Sequence, residues 1–322
     1  MKSLLCFGEA LIDFLHTDFA DVDGLKLANF RQFPGGAPAN VAVAFARLGG
    51  EARFAGQVGG DIFGRFLEDA LAHYGVNTQF LHKHSAAKTA LAFVSLDSDG
   101  DRSFSFYRDR TADLLFSLDQ VDDDWFINHP VFHVCSNTLT NAEIATVTMH
   151  ALDRAARAGS LISFDANLRP SLWPAGVVDR SRCDAVVRSS DFIKFAREEI
   201  EFMADGDTDR YLADLLAGKP RLVVVTDGAN PVVFFTAEYR GRVEIPNVDV
   251  VDTTAAGDAF TAAILRGLCA ASDLEHIVGN VKCVRSLVEF AARCGSLTTT
   301  RAGAFPALPE FAEVEEYWND MP

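Results

Sequence analysis

The sequence predicts an α/β protein with a mostly parallel sheet covered by helices on both faces. Three observations carry this. Short apolar runs alternate with helix-patterned segments along most of the 322 residues, the order expected of crossover-connected parallel strands. The first run, residues 4–7 (Leu-Leu-Cys-Phe), is uniformly apolar and stops at Gly8, as a strand buried on both faces does. No internal repeat and no linker-like shift in composition divides the chain, which favours one core domain.

Taken in order, residues 40–48 are apolar at helical spacing and end at Gly49-Gly50, a helix stop. Strand- and helix-patterned segments then follow at 131–135, 142–158, 161–164, 191–195, 198–203 and 222–226, and two long Ala/Leu/Val-rich helical stretches fill 254–294. Two segments depart from this pattern. Residues 16–33 carry charge with little helical period. Residues 87–109 alternate polar with apolar on either side of Asp97-Ser98-Asp99-Gly100-Asp101, a hairpin signal. Such a hairpin is either a flap over one edge of the domain or an ordinary edge hairpin.

Composition sets the outer bounds. Apolar residues make up 49% and charged residues 23% of the chain, an ordinary globular balance. A formal charge of −16 repels nucleic acid and anionic membranes, so partners of either kind are not expected. The six cysteines are scattered with no C-x-x-C pair and read as buried free thiols. Without a membrane-length apolar stretch or a secretory leader, the expectation is a soluble cytoplasmic protein.

Three segments suggest chemistry. In Asp252-Thr253-Thr254-Ala255-Ala256-Gly257-Asp258, small residues turn the chain into an apolar helix. Unpaired amides of Ala255, Ala256 and Gly257 at that helix start would bind an anion, and Asp258 would stand beside it. The competing reading is an Asp that only complements the helix dipole, with Thr253 or Thr254 as cap. Gly35-Gly36-Ala37-Pro38-Ala39-Asn40 is either a ligand loop or a glycine turn with an Asn cap. Asp165-Ala166-Asn167-Leu168-Arg169 sets polar residues just after an apolar strand, the usual address of ligand groups in open α/β sheets. P-loop, dinucleotide, zinc-protease and nucleophile-elbow motifs are missing. His82 and His84 read as a solvated pair flanking a charged loop rather than a metal site.

In this order, and together with Gly8-Glu9-Ala10-Leu11-Ile12-Asp13, Gly56-Gln57-Val58-Gly59-Gly60-Asp61 and Gly303-Ala304, these segments resemble the ribokinase-like (PfkB) carbohydrate kinases, most of all the fructokinase branch. The resemblance spans nearly the whole chain. It implies a three-layer α/β/α sandwich with a small β-sheet lid. The large domain would comprise 1–15, 34–86 and 110–322, and the lid 16–33 and 87–109. It further implies ATP and Mg²⁺ as cofactors, with Asp258 as general base and the 255–257 amides as anion hole. Asp13, Gly35, Gly36, Asn40, Arg108 and Arg169 would meet the sugar. Asp165, Asn167, Lys194, Glu199, Thr226 and Gly228 would lie along the nucleotide, and Asp252, Thr254, Thr298, Arg301 and Gly303 around a monovalent cation such as K⁺. The Asn of the family's N-x-x-E stretch is Ala196 here. The expected reaction is ATP-dependent phosphorylation of a monosaccharide, fructose first. Kinases for 2-keto-3-deoxygluconate or ribose are the alternatives, because Arg108 and Arg169 would suit a carboxylate; a non-catalytic sugar or nucleotide sensor is the alternative of another class. A homodimer through the lid edge is a further expectation.

Overall fold

The computed structural model describes residues 1–96, 102–271 and 274–319. Its strands in chain order are β1 (Leu4–Phe7), β2 (Leu11–Val22), β3 (Leu25–Gly35), β4 (Ala52–Gly59), β5 (Asn77–His84), β6 (Leu91–Leu96), β7 (Arg102–Tyr107), β8 (Val131–Cys135), β9 (Ile162–Asp165), β10 (Phe192–Ala196), β11 (Leu222–Asp227), β12 (Asn230–Phe235) and β13 (Arg240–Val243). The larger sheet runs β13-β12-β11-β10-β9-β8-β1-β4-β5. From β11 to β5 every neighbouring pair is parallel, and only the β11-β12-β13 edge is antiparallel. Strands β1, β4 and β8 are buried along their whole length, and β1 accordingly reads as an unbroken apolar run.

One face of the sheet packs on the helices Ala37–Arg47, Ala256–Ala270 and Val281–Thr298, the other on Ala142–Arg157, Arg180–Arg188 and Thr208–Leu216, each face with its own apolar cluster. The layers are therefore helix, sheet, helix. The stretch expected as two long helices holds a short third one, Leu274–Val278, between them. His82 and His84 lie in strand β5, His84 at its last position beside the loop that follows, where its Nδ1 accepts the amides of Ala86 and Ala87 at 3.1 and 2.8 Å. Five of the six cysteines are buried, Cys283 is half-buried, and all are free thiols.

The smaller sheet runs β3-β2-β6-β7. The charged segment that lacks helical period is the β2-β3 hairpin, turning at Asp23 (φ 54°) and Gly24 (φ 81°). Positive φ at both turn positions is what a two-residue hairpin loop demands, and Asp-Gly supplies it. Strands β6 and β7 pair antiparallel from Leu91↔Tyr107 to Leu96↔Arg102, while the expected Asp/Gly turn at 97–101 lies outside the described residues. The chain passes between the two sheets at four crossings: Gly8 to Ala10 before β2, Gly35 to Ala37 after β3, residues 85–90 before β6, and Arg108 after β7. The first, second and fourth line one cavity.

Candidate active site

The cavity has a volume of about 560 Å³ and opens at the carboxyl ends of β1, β8 and β9, beside the switch in strand order that α/β sheets use for ligands. Its lining includes Glu9, Asp13, Gly36, Asn40, Arg108, Asn137, Asn167, Arg169, Lys194, Thr254, Ala255, Gly257 and Asp258.

The helix Ala256–Ala270 points its N-terminus into this space, and Asp258 sits in its first turn. Ala255 enters it in the left-handed region, at φ 60° and ψ 8°, a conformation that costs an L-residue with a Cβ roughly 1–2 kcal/mol. That turn corrects the expected anion hole. The Ala256 amide donates to the Thr253 carbonyl at 3.3 Å and is spent inside the protein. Of the three expected amides, those of Ala255 and Gly257 have no hydrogen-bond partner among the described residues, and the neighbouring Asp258 amide has none either, so these are the donors open to an anion. Gly257 leaves room for Lys194, whose Nζ lies 3.2 Å from where a Cβ would stand.

Asn40 reaches Asp258 from the opposite side. The helix Ala37–Arg47 starts after Gly36 at φ 105°, where a Cβ would press to 2.5 Å of the Glu9 carbonyl oxygen, so only glycine fits. One turn later the Asn40 Nδ2 donates to Asp258 Oδ2 at 2.7 Å. Gly35 is required for a similar reason: a Cβ there would overlap Asp13 Oδ2. Burial, then the Asp165 charge, push the Asp258 carboxyl up to about 7, although the Asn40 hydrogen bond, Lys194 and Arg169 pull it down. Burial, followed by Asp258, Asp252 and Glu9, lifts Asp13 to about 7 as well. A carboxylate whose pKa is near neutrality is matched to taking a proton at neutral pH.

The remaining residues fall into three groups. Lys194 is buried and pairs with Asp165 Oδ1 at 3.1 Å, and Thr261 donates to Asp165 Oδ2 at 3.0 Å, so Asp165 holds the lysine rather than facing the cavity. Glu199 is likewise occupied, accepting the Leu168 amide at 2.7 Å and the Ala196 amide at 2.6 Å, which pins the two loops beside the helix end. Thr226 and Gly228 lie at the carboxyl end of β11 on the same rim but outside the cavity lining. Asp252, Thr254, Thr298, Arg301 and Gly303 do come together: the Asp252 carboxylate accepts the Thr254 and Gly303 amides at 2.8 and 2.9 Å, and the Arg301 amide donates to the Thr298 carbonyl at 3.3 Å.

Arg108 and Arg169 differ. Arg169 is exposed at the cavity. Arg108 is buried, with its Nε on Asp113 Oδ2 at 2.6 Å and its Nη2 on the Asn137 carbonyl at 2.9 Å. Its Nη1 has no partner, so Arg108 can meet a ligand through the two N–H groups of that nitrogen, while Nε and one N–H of Nη2 are committed. Glu9 and Asn137 were not singled out as site residues from the sequence. Glu9 appears there only as part of a glycine-led segment, and Asn137 sits in Cys-Ser-Asn-Thr, which carries no motif.

Unpaired amides at a helix start, a carboxylate beside them and a polar cavity wall are groups suited to moving a phosphoryl group onto a hydroxyl. Comparison with known proteins gives the same class. Residues 1–310 match the pfkB family carbohydrate kinase profile, and the chain belongs to that family. It is 39% identical to probable fructokinase-3 of Arabidopsis thaliana, over 99% of this chain and 92% of that protein, and 39% identical to fructokinase-1 of Zea mays, over 97% and 96%. The ATP-bound crystal structure of fructokinase from Xylella fastidiosa superposes with a TM-score of 0.91 at 42% identity, covering 99% of this chain and 98% of that one. A fructokinase double mutant from Vibrio cholerae O395, crystallised with fructose, ADP and potassium ion, gives 0.87 at 33% identity, covering 98% of each chain. The fold is ribokinase-like, a large mostly parallel sheet flanked by helices plus a small second sheet.

Proposed function

We propose that this chain is an ATP-dependent fructokinase that moves the γ-phosphoryl group of ATP to a primary hydroxyl of fructose, giving fructose 6-phosphate and ADP. The observation that carries the reading is the Asp258 carboxylate, gripped by Asn40 and set in the first turn of a helix with free amides at Ala255 and Gly257. Asp258 accepts the hydroxyl proton as the oxygen attacks phosphorus and the bond to the bridging oxygen of ADP breaks. Phosphoryl transfer depends on alignment and charge neutralisation more than on covalent chemistry. The amides, with Lys194 beside Gly257, meet charge on the transferring group despite the protein's −16. Asp13, Gly36 and Asn40 line the sugar side, and the nucleotide runs along the rim toward Thr226 and Gly228.

Among the described residues no cluster of three or more His, Cys, Asp or Glu is arranged to hold a metal. A Mg²⁺ would therefore arrive on the nucleotide and keep its waters, while Asp165 and Glu199, held by Lys194, Thr261 and backbone amides, stand behind the cavity wall. When bound, Mg²⁺ neutralises phosphate charge. The knot around Asp252 offers the backbone oxygens a monovalent cation prefers, so K⁺ raises the rate over an equal ionic strength of tetramethylammonium; equal rates contradict that site.

Arg108's engagement with Asp113 favours a neutral sugar over 2-keto-3-deoxygluconate. The retained base and free amides favour a catalyst over a sensor. The small sheet serves as a lid that excludes water during transfer. Its exposed Phe19, Val22, Leu25, Leu27 and Tyr107 suit a second copy of the same sheet, giving a homodimer. Among the described residues no helix is long and apolar enough to cross a membrane, and we place the enzyme in the cytoplasm. An ADP-release assay across fructose, ribose and 2-keto-3-deoxygluconate tests the reading: fructose is preferred by kcat/KM, and preference for the acid overturns it.

A further inference from the structure

The cavity wall contains four buried polar atoms without a hydrogen-bond partner: Glu9 Oε2, Asn40 Oδ1, Arg108 Nη1 and Asn137 Oδ1. The four side chains are 1%, 5%, 8% and 4% exposed. Leaving such an atom unpaired costs about 1–3 kcal/mol, so four of them around one cavity are an unusual expense unless a ligand completes them.

Their chemistry is fixed by what their other atoms already do. Glu9 Oε1 accepts the Ala37 amide at 3.1 Å and the Asn137 Nδ2 at 2.8 Å. The Asn137 amide therefore cannot flip, since its nitrogen must face the carboxylate, and the spare atom is an acceptor. Asn40 is oriented in the same way by Asp258, and its spare atom is again the oxygen. Arg108 has two of its three nitrogens engaged and keeps Nη1, with its two N–H groups, as donor. The wall thus offers three acceptor atoms and one donor nitrogen.

Hydroxyl groups satisfy both kinds. At this wall a carboxylate, which supplies acceptors only, would pair with Arg108 Nη1 but face the acceptors Glu9 Oε2, Asn40 Oδ1 and Asn137 Oδ1; the cations Arg169 and Lys194 lie elsewhere on the lining. We propose that Glu9 and Asn137 form a hydroxyl-reading wall that selects neutral polyhydroxy sugars and rejects sugar acids. This deepens the fructokinase reading and rests on it for the location of the sugar, although the wall is defined by its own atoms.

The test compares wild type with Glu9→Gln, which keeps the shape but turns the spare acceptor into a donor, and with Asn137→Ala. Glu9→Gln should raise the fructose KM about tenfold to a hundredfold, the range for a lost hydrogen bond to a charged group. The ATP KM should change less than about twofold. Deoxyfructoses supply the readout that a structural role would not move. The analogue lacking the hydroxyl that Glu9 reads should be poor for wild type, yet no worse than fructose for Glu9→Gln. Wild type should use 2-keto-3-deoxygluconate at least about a hundredfold less efficiently than fructose.

The proposal is overturned by an unchanged fructose KM in both variants, by sugar and ATP KM rising together with a fallen Tm, by purely additive losses across the deoxyfructoses, or by equal use of the acid. If neither variant folds, the wild-type series decides: at least one non-reacting hydroxyl should matter tenfold, and indifference to all of them contradicts the wall. Wild type inactive on fructose but active on another neutral sugar in a Glu9-dependent way would overturn the fructokinase reading and support this one.

Discussion

Asn40 and Asp258, 218 residues apart, are joined by a 2.7 Å hydrogen bond from the Asn40 amide nitrogen to the carboxylate. Each belongs to the first turn of its own helix, and the bond locks those two helix starts together across the cavity. Through it, the glycine turn at 35–36 positions the carboxylate that the small-residue turn at 252–257 supplies.

Removing the Asn40 donor should therefore change how Asp258 titrates. The hydrogen bond favours the charged carboxylate, so Asn40→Ala lifts a pKa already near 7. The acid limb of the kcat/KM profile should move up by about one pH unit. The rate loss is then larger at pH 6 than at pH 9. A profile that keeps its wild-type midpoint would show that Asn40 does not act on Asp258.

Ala255 is held at φ 60°, where glycine is at ease and alanine is not. Ala255→Gly should stabilise the protein by about 0.5–1 kcal/mol and keep kcat within about twofold, while the β-branched Ala255→Val should lose more than about 1 kcal/mol. Equal Tm values for all three would mean that this turn carries no strain.

Charge at Asp258 should also cost stability. Its folded pKa of about 7 lies above its unfolded value of 3.8, so the folded state binds more protons between the two. Stability is then lost as pH rises from about 4 to 7, and the cost is complete above 7. Asp258→Asn removes that cost. It should raise Tm at pH 8 by several degrees, corresponding to about 4 kcal/mol, and by less at pH 5. The same gain at both pH values would contradict the shifted titration.

Some of this was legible in the sequence and some was not, for physical reasons. The alternation of strands and helices, the Gly35-Gly36 turn, Asn40 and the 252–258 segment are local signals, and each marks a backbone conformation that only certain residues allow. The β2-β3 hairpin has a local turn signal as well, Asp23-Gly24, but the charge of 16–33 masks it and that segment reads only as lacking helical period. Other features depend on partners far along the chain. Arg108 is held by Asp113, five residues on, and by the distant Asn137 carbonyl, and no motif announces that second contact. The spent amide of Ala256 follows from a left-handed Ala255, which an alanine does not advertise. Glu9 and Asn137 become meaningful only when their spare atoms are seen in one wall.

The central claim is that Asp258 takes the sugar's proton beside the amides of Ala255 and Gly257. The most direct measurement is the rate of ADP release from saturating fructose and ATP by Asp258→Asn, with both ligands shown to bind by calorimetry. The account predicts at least about a thousandfold loss in kcat with dissociation constants near those of wild type. A kcat within about tenfold of wild type would remove Asp258 from the reaction.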